Sequence, residues 1–155
     1  MDAERLDVYH RDGIAINGYD VVAYFTKNQA IKGQAKYACL WRKVMWQFSS
    51  EGHLQMFSEN PEKYVPQYGG FCAFGMSNGY KAKTKSESFS IIDGKLYLNF
   101  ANYVKRRWTE KHKEHILSAN HQWDKTKESI PIKAHPIPIW WKYKLLKLIG
   151  KDLFD

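Results

Sequence analysis

Cysteine is scarce in this chain, which has only two, Cys39 and Cys72, among 155 residues. Two cysteines do not make a disulfide framework, so the class of small secreted domains held together by several disulfides is excluded. A single disulfide between the two remains open. The chain also lacks a Cys-x-x-Cys pair, which argues against a dithiol redox centre.

Long apolar runs are also missing. No stretch contains the roughly 18 consecutive apolar residues that a membrane-spanning helix needs. The first eight residues are largely polar, so we expect neither a signal peptide nor a transmembrane helix there. These absences predict a protein of the reducing cytoplasm, either free or peripherally attached to a membrane.

Acidic residues are fewer than basic ones, 16 against 24, and the formal net charge is +8. Such a surface attracts anions of any kind, or it is simply a soluble surface with an excess of lysine. No known nucleic-acid-binding motif accompanies the charge, so no specific nucleic-acid partner is predicted. Aromatic residues, in contrast, are abundant, with six Trp, ten Tyr and eight Phe, which favours an aromatic-packed core.

The first half of the chain predicts a hairpin followed by a short helix. Residues 35–41 and 44–48 have the composition of two strands joined by a tight turn. Ser49 or Ser50 is a suitable N-cap for the next helix, and Asn60 should end it because a proline follows. Residues 19–25 form an apolar run that fits either a buried strand or a turn of helix.

The second half predicts a hairpin and a longer helix. Asp93-Gly94 is a type I′ turn signal between two runs rich in strand-forming residues. Asn99 can cap a helix that extends to about Asn120, with His112 on its apolar face beside Trp108. The fold class predicted is therefore α+β, a small antiparallel sheet packed with two main helices.

Three regions are expected along the chain: an N-terminal extension over residues 1–12, a domain over residues 13–124, and a C-terminal region over residues 125–155. The prolines in residues 130–139 predict an extended arm. An amphipathic helix should follow it. Its apolar face is Trp141, Leu145, Leu148 and Ile149, and Trp140 beside it is a further expected contact residue. That face predicts contact with an anionic membrane surface, or docking on a partner, on the domain itself or on a second copy of the chain.

Several motifs resemble the YHS domain family, most closely its longer bacterial members, over roughly residues 13–124. The motifs are Gly18-Tyr-Asp-Val-Val-Ala-Tyr-Phe25, a strand–helix segment ending in Pro61-Glu-Lys-Tyr64, Pro66-Gln-Tyr-Gly-Gly-Phe-Cys72 and Asp93-Gly-Lys-Leu-Tyr-Leu-Asn99. The resemblance implies a small α+β domain. It also implies metal binding linked to heavy-metal handling, because the short form of the domain is attached to heavy-metal transport ATPases.

The chain departs from the short form at the positions of its cysteines. Ala23, Ser49 and His53 stand where that form has cysteine, which argues against a three-thiolate site for zinc or copper(I). The remaining candidate ligands for a divalent metal such as zinc or copper are Cys72, His53 and Asp20, with water completing the site. This predicts that the sulfur after the Gly69-Gly70 bend and the imidazole at the helix start point into one pocket.

Each candidate ligand also has an ordinary structural interpretation. Cys72 suits a small buried core position, His53 a surface position near a helix start, and Asp20 a helix cap or turn. The sequence therefore leaves two functions open: a non-enzymatic metal-binding or metal-sensing domain, and a metal-free interaction module that uses the C-terminal helix. A Cys72–His53 enzyme is a third alternative, and we do not expect it.

Overall fold

The computed structural model of the chain describes residues 7–128. Its strands are β1 (His10–Arg11), β2 (Ile14–Ala15), β3 (Gln34–Trp41), β4 (Val44–Phe48), β5 (Lys85–Ile92) and β6 (Lys95–Asn99). Its helices are α1 (Val21–Thr26), α2 (Glu51–Glu59), α3 (Pro61–Tyr64), α4 (Ala73–Ser77), α5 (Asn102–Glu110) and α6 (His112–Thr126). Short 3-10 helices cover Ile16–Gly18 and Gln67–Gly70.

The strands form two sheets, which confirms the α+β class and corrects the prediction of one antiparallel sheet. The larger sheet has the order β1-β2-β4-β3, and the smaller consists of β5 and β6. The β1–β2 and β3–β4 pairs are antiparallel, whereas β2 runs parallel to β4. Because β3 already occupies one edge of β4, β2 pairs with the other edge and makes the sheet mixed. The number of helices is also larger than the two main ones predicted.

Both predicted hairpins have two-residue turns with positive φ at each central residue. Asp93 and Gly94 have φ of 51° and 74°, the geometry that a type I′ turn requires. Arg42 and Lys43 have φ of 51° and 63°, although neither is a favoured turn former. The guanidinium of Arg42 lies 4.5 Å from the ring centre of Trp41 and pairs with Glu62 at 3.0 Å. These contacts help to stabilise a turn that the sequence alone does not favour.

Aromatic side chains form two buried clusters. In the first, Trp46 on β4 stacks on Phe57 of α2 with ring centres 5.3 Å apart, and Tyr24 of α1 is also buried there. In the second, Trp108 of α5 packs on Tyr97 of β6 with ring centres 5.2 Å apart. The smaller sheet contributes to both clusters, with Leu96 and Leu98 in the first and Tyr97 in the second, and both are rich in aromatic rings, as the composition predicts.

The long helix predicted from Asn99 to about Asn120 is two helices. Ala101, not Asn99, is the residue before α5, and the chain bends at Lys111, whose φ of −130° and ψ of 45° are not helical. The bend changes the helical phase, so the histidine that packs on Trp108 is His115 rather than His112. The rings of His115 and Trp108 are stacked with centres 5.7 Å apart.

The two ends of the described chain meet near one lysine. Val8 is buried, and the Tyr9 N–H donates to the Gly69 carbonyl at 2.8 Å. A Cβ on Gly69 would overlap the Asp7 carbonyl, so this contact requires glycine. Lys81 is buried between the described ends: its Nζ donates to the Lys127 carbonyl at 2.8 Å, and burial lowers its pKa while the charges of Asp7 and Glu128 act in the opposite direction.

Candidate functional site

Asp20 is a fully buried helix cap. Its Oδ1 accepts hydrogen bonds from the backbone N–H groups of Val22 at 2.9 Å and Ala23 at 3.1 Å. These groups belong to the first turn of α1, where no helical carbonyl is available to accept them. The capping interpretation of Asp20 therefore matches its position, and the apolar run that follows it is the helix α1.

The second oxygen of Asp20 joins α1 to the start of α2. Oδ2 accepts from the Ser49 N–H at 2.9 Å, from the Ser49 hydroxyl at 2.6 Å and from Nδ1 of His53 at 2.6 Å. Ser50 is the N-cap of α2, and its hydroxyl accepts from the His53 N–H at 3.1 Å. An ionised carboxylate only accepts hydrogen bonds, and here its two oxygens receive five donors. Asp20, Ser49 and His53 together form a closed polar junction between α1 and α2.

The His53 ring spans the distance from Asp20 to the end of α1. Its side chain is 12% exposed, and Nε2 lies 3.3 Å from the hydroxyl oxygen of Thr26. The Thr26 hydroxyl has one proton, which it can donate to the Val22 carbonyl at 3.1 Å or to Nε2. In the tautomer that donates Nδ1–H to Asp20, Nε2 carries a lone pair and is an acceptor beside that hydroxyl.

Cys72 lies in a different environment. It is 1% exposed and caps α4, where its Sγ accepts from the Gly75 N–H at 3.4 Å. The thiol lies 3.5 Å from Oδ1 of Asn99, which also accepts from the Phe74 N–H at 3.0 Å. Burial raises the pKa of the Cys72 thiol to about 11, which is opposite to the change that an activated thiolate needs.

The structure brings Asp20 and His53 together and leaves Cys72 outside their contacts. Asp20 and His53 share Ser49, whereas the polar partners of Cys72 are Asn99 and Gly75. A Cβ on Gly70 would overlap the Ile16 side chain, so the bend before Cys72 packs closely on that residue. Within residues 7–128, no group of three or more His, Cys, Asp or Glu side chains is placed to hold a metal ion. Asp20 and His53 are in contact, and a site that also includes Cys72 stays a prediction.

The other cysteine and the two histidines near the start of α6 make contacts elsewhere in the fold. Cys39 is a free, half-buried thiol on β3, and burial raises its pKa. Nδ1 of His112 lies 3.2 Å from the Thr109 carbonyl, and that of His115 lies 3.1 Å from the Trp108 carbonyl. Both histidines therefore contact backbone carbonyls of α5.

Sequence reasoning missed three residues of these sites: Ser49 and Thr26, which contact Asp20 and His53, and Asn99, which contacts Cys72. Ser49 was recognised only as an alternative cap to Ser50 and as the residue in a cysteine position. Asn99 was expected to cap a helix, but it is fully buried at the end of β6. A polar residue at the end of an apolar strand is the signal that could have identified it, because such an amide needs buried partners.

The predicted membrane or partner contacts, Trp140, Trp141, Leu145, Leu148 and Ile149, lie outside the described residues. Over residues 7–128, every helix is too short or too polar to cross a membrane. Comparison of the chain with protein-family models, with curated proteins and with solved structures finds no match.

Proposed function

We propose that this chain is a non-enzymatic interaction module, in which the folded domain is a scaffold and the C-terminal amphipathic segment binds an anionic membrane surface. The candidate metal ligands support this choice because the fold already uses them. All five donors around Asp20 are accounted for, and Cys72 is buried against β6. Neither group presents an open position for a reacting substrate.

The observation that carries the proposal is the small apolar surface of the domain. Among residues 7–128, only Leu40, Met45, Ile91 and Leu117 are large hydrophobic residues that are exposed. Leu40 and Met45 face each other across β3 and β4, and the other two lie on different elements. Two adjacent side chains are too few to cover the predicted four-residue apolar face of the C-terminal segment, so that face needs another partner.

The charge of the chain favours an anionic membrane surface as the partner. In the predicted helix Lys144, Lys147 and Lys151 fall on the face opposite Trp141, Leu145, Leu148 and Ile149, and the whole chain carries a net charge of +8. An amphipathic helix with a lysine-rich face binds at the interface of anionic lipid bilayers. In this proposal the protein is peripheral to the membrane.

The test is sedimentation of the full chain with vesicles of phosphatidylglycerol and phosphatidylcholine. The double variant Leu145→Glu/Leu148→Glu should remain in the supernatant, and Leu117→Glu, which changes an exposed leucine of α6, should sediment like the unchanged chain. Equal sedimentation of all three proteins would contradict the proposal. Loss of a dimer in the double variant, measured by light scattering, would instead identify a second copy as the partner.

A second candidate function is the metal binding that the YHS resemblance implies. It is supported by the 2.6 Å contact between Asp20 Oδ2 and His53 Nδ1, because a carboxylate on one ring nitrogen commonly orients the other nitrogen toward a metal. In this candidate Nε2 of His53 is the ligand for zinc or copper, Asp20 orients the ring, and Cys72 would have to leave its buried position to contribute.

Elemental analysis of protein purified without added metal separates the two functions. Zinc or copper in proportion to protein, lost in His53→Gln and kept in His121→Gln, would support the second candidate. Loss in Cys72→Ser alone would assign the sulfur as the ligand. Absence of metal from the unchanged protein would favour the interaction module over the metal-binding domain.

A further inference from the structure

Two adjoining cavities form a basic cleft at the boundary between the two sheets. The larger has a volume of about 480 Å³ and the smaller about 330 Å³, and Arg11 and Asn17 line both. Small-molecule sites in proteins span about 300–1,000 Å³, so the larger cavity alone has the size of a ligand pocket. The cleft is on the described domain and does not involve the C-terminal segment.

Positive charge dominates the lining of the cleft. Arg11, Lys83 and Lys85 line the larger cavity, and Lys32 joins Arg11 in the smaller one. Among the described lining residues, the carboxylates are Glu87 in the larger cavity and Asp12 in the smaller. Within residues 7–128, none of the four cations forms a salt bridge. Four cations around one concavity, with no ion pair in that part of the chain, attract a multiply charged anion.

The strand β5 and the segment before it place the lysines side by side. Lys83, Lys85 and Glu87 are exposed, whereas Thr84 and Ser86 between them are buried. This alternation is the ordinary period of an extended chain, so the two ammonium groups project from the same side. The Thr84 hydroxyl donates to the Gly70 carbonyl at 2.9 Å, which fixes the backbone between the two lysines.

The shared wall of the two cavities is held in an unusual conformation. Ile16, Asn17 and Gly18 have φ of 52°, 55° and 76°, so three successive residues are left-handed. The Asn17 amide is fixed on both sides, since Oδ1 accepts from the Tyr9 hydroxyl at 3.3 Å and Nδ2 donates to the Thr84 carbonyl at 3.2 Å. A left-handed β-branched residue is strained, and such strain collects at binding sites because the surrounding structure must hold it.

Aromatic rings complete the cleft. Lys83 lies 5.9 Å from the ring centre of Phe100, and Lys32 lies 5.8 Å from that of Tyr19. Both rings also line the larger cavity, next to the cations. A ligand held there can therefore place a flat group near a ring and its anionic groups near the lysines and Arg11.

From this arrangement we propose that the cleft binds a small organic molecule with two or more phosphate groups, of the class of nucleoside diphosphates. Arg11 is the residue suited to a bidentate contact with a phosphate, and Lys85, Lys83 and Lys32 supply point charges around it. Because Arg11 lines both cavities, its guanidinium is placed to contact a phosphate in either one. The aromatic side of the larger cavity takes the non-phosphate part of the ligand.

The test is calorimetric titration of the full chain with ADP and with inorganic pyrophosphate, without magnesium. Arg11→Gln and Lys85→Gln should each weaken binding of ADP about tenfold, the loss expected when one charge-assisted contact is removed. Lys113→Gln removes an exposed lysine of α6 and should leave the affinity unchanged. All three positions are exposed, so the fold is retained.

Three results would overturn the proposal. The first is the absence of heat with both probes at millimolar concentration. The second is equal weakening by Lys113→Gln and Arg11→Gln, together with tighter binding of a single-stranded oligonucleotide, which would indicate general charge attraction. The third is failure of both soluble probes while Arg11→Gln abolishes vesicle binding, which would assign the cleft to a lipid headgroup.

The membrane proposal and the cleft can fail separately. Leu145→Glu/Leu148→Glu should leave ADP binding unchanged, and Arg11→Gln should leave vesicle sedimentation unchanged. If both changes affect both measurements, the cleft is part of the membrane-binding surface, and the proposal of a separate soluble ligand falls.

Discussion

Two groups of buried polar atoms join distant parts of the chain. One is the junction at Asp20, and the other, the junction at Cys72, consists of Cys72, Phe74 and Asn99. The hydrogen bonding of the polar atoms differs between them. At the first, two carboxylate oxygens receive five donors from α1, Ser49 and His53. At the second, Oδ1 of Asn99 receives the Phe74 N–H and the Cys72 thiol, while Nδ2 has no hydrogen-bond partner within residues 7–128. The first junction is charged and complete, and the second is neutral and incomplete.

This difference indicates which junction the fold depends on more. Removing a partner from a complete buried network leaves several groups unsatisfied, and each costs about 1–3 kcal/mol. The incomplete junction already leaves one amide hydrogen-bond donor unused, so fewer favourable contacts are lost when it is changed. Four measurements test this difference between the two junctions.

The largest effect is expected for Asp20→Ala. This change leaves the N–H groups of Val22 and Ser49, a hydroxyl and an imidazole without their acceptor, whereas the Ala23 N–H keeps the carbonyl of residue 20. It should lower the free energy of unfolding by about 3–5 kcal/mol. Urea denaturation followed by tryptophan fluorescence measures it. Glu110→Ala, at an exposed position of α5, is the control and should change the stability by less than about 0.5 kcal/mol. An Asp20→Ala protein as stable as the control would refute the importance of the junction.

A smaller loss, about 2–3 kcal/mol, is expected for Asn99→Ala, because the Phe74 N–H at the start of α4 loses its acceptor. Asn78→Ala at the exposed end of the same helix is the matched control. Chemical denaturation of both variants gives the two values. A loss for Asn99→Ala larger than that for Asp20→Ala would reverse the ranking of the two junctions.

Alkaline pH should destabilise the protein through Cys72. Its pKa is raised from 9.0 to about 11 in the folded state, so above pH 9 the unfolded chain releases this proton while the folded chain retains it. Stability therefore falls as pH rises, by about 2 kcal/mol at pH 11 from this group alone. Buried tyrosines act in the same direction, so the measurement is the difference in pH slope between the unchanged protein and Cys72→Ala. Identical slopes would contradict the burial of the thiol.

The smallest effect is expected for His53→Ala, about 1–2 kcal/mol, because Asp20 keeps its other four donors. A double-mutant cycle with Asp20→Ala isolates the contact. In the absence of Asp20, removal of His53 should cost little. A cost that is independent of Asp20 would show that the imidazole stabilises the fold only by packing.

The elements that the sequence predicts well are those with local signals. The Asp93-Gly94 hairpin and the helix from Ser50 to Asn60 depend on residues within a few positions of one another, and both are found as expected. The break at Lys111 was missed, because the apolar stripe through Trp108 and His112 continues smoothly in the sequence. Only the packing of His115 on Trp108 reveals the change of phase.

The candidate site was only partly predictable for the same reason. Asp20 and His53 were each identified, but their contact spans 33 positions of the chain and has no local signature. Cys72 was expected to face His53 because glycines precede it, and the direction of the bend depends on what those glycines touch. The basic cleft joins residues from β1, the turn at Asn17 and β5, so the sequence shows its charges but not their convergence.

The meeting of the described ends at Lys81 has a mechanical consequence. Because the chain enters the domain near Asp7 and leaves it near Lys127 at the same corner, a tether attached at either point would hold the domain by that one corner. The same closeness should allow residues 7 and 128 to be joined by a short linker and the chain reopened at the Asp93-Gly94 loop, giving a circular permutant with the same fold.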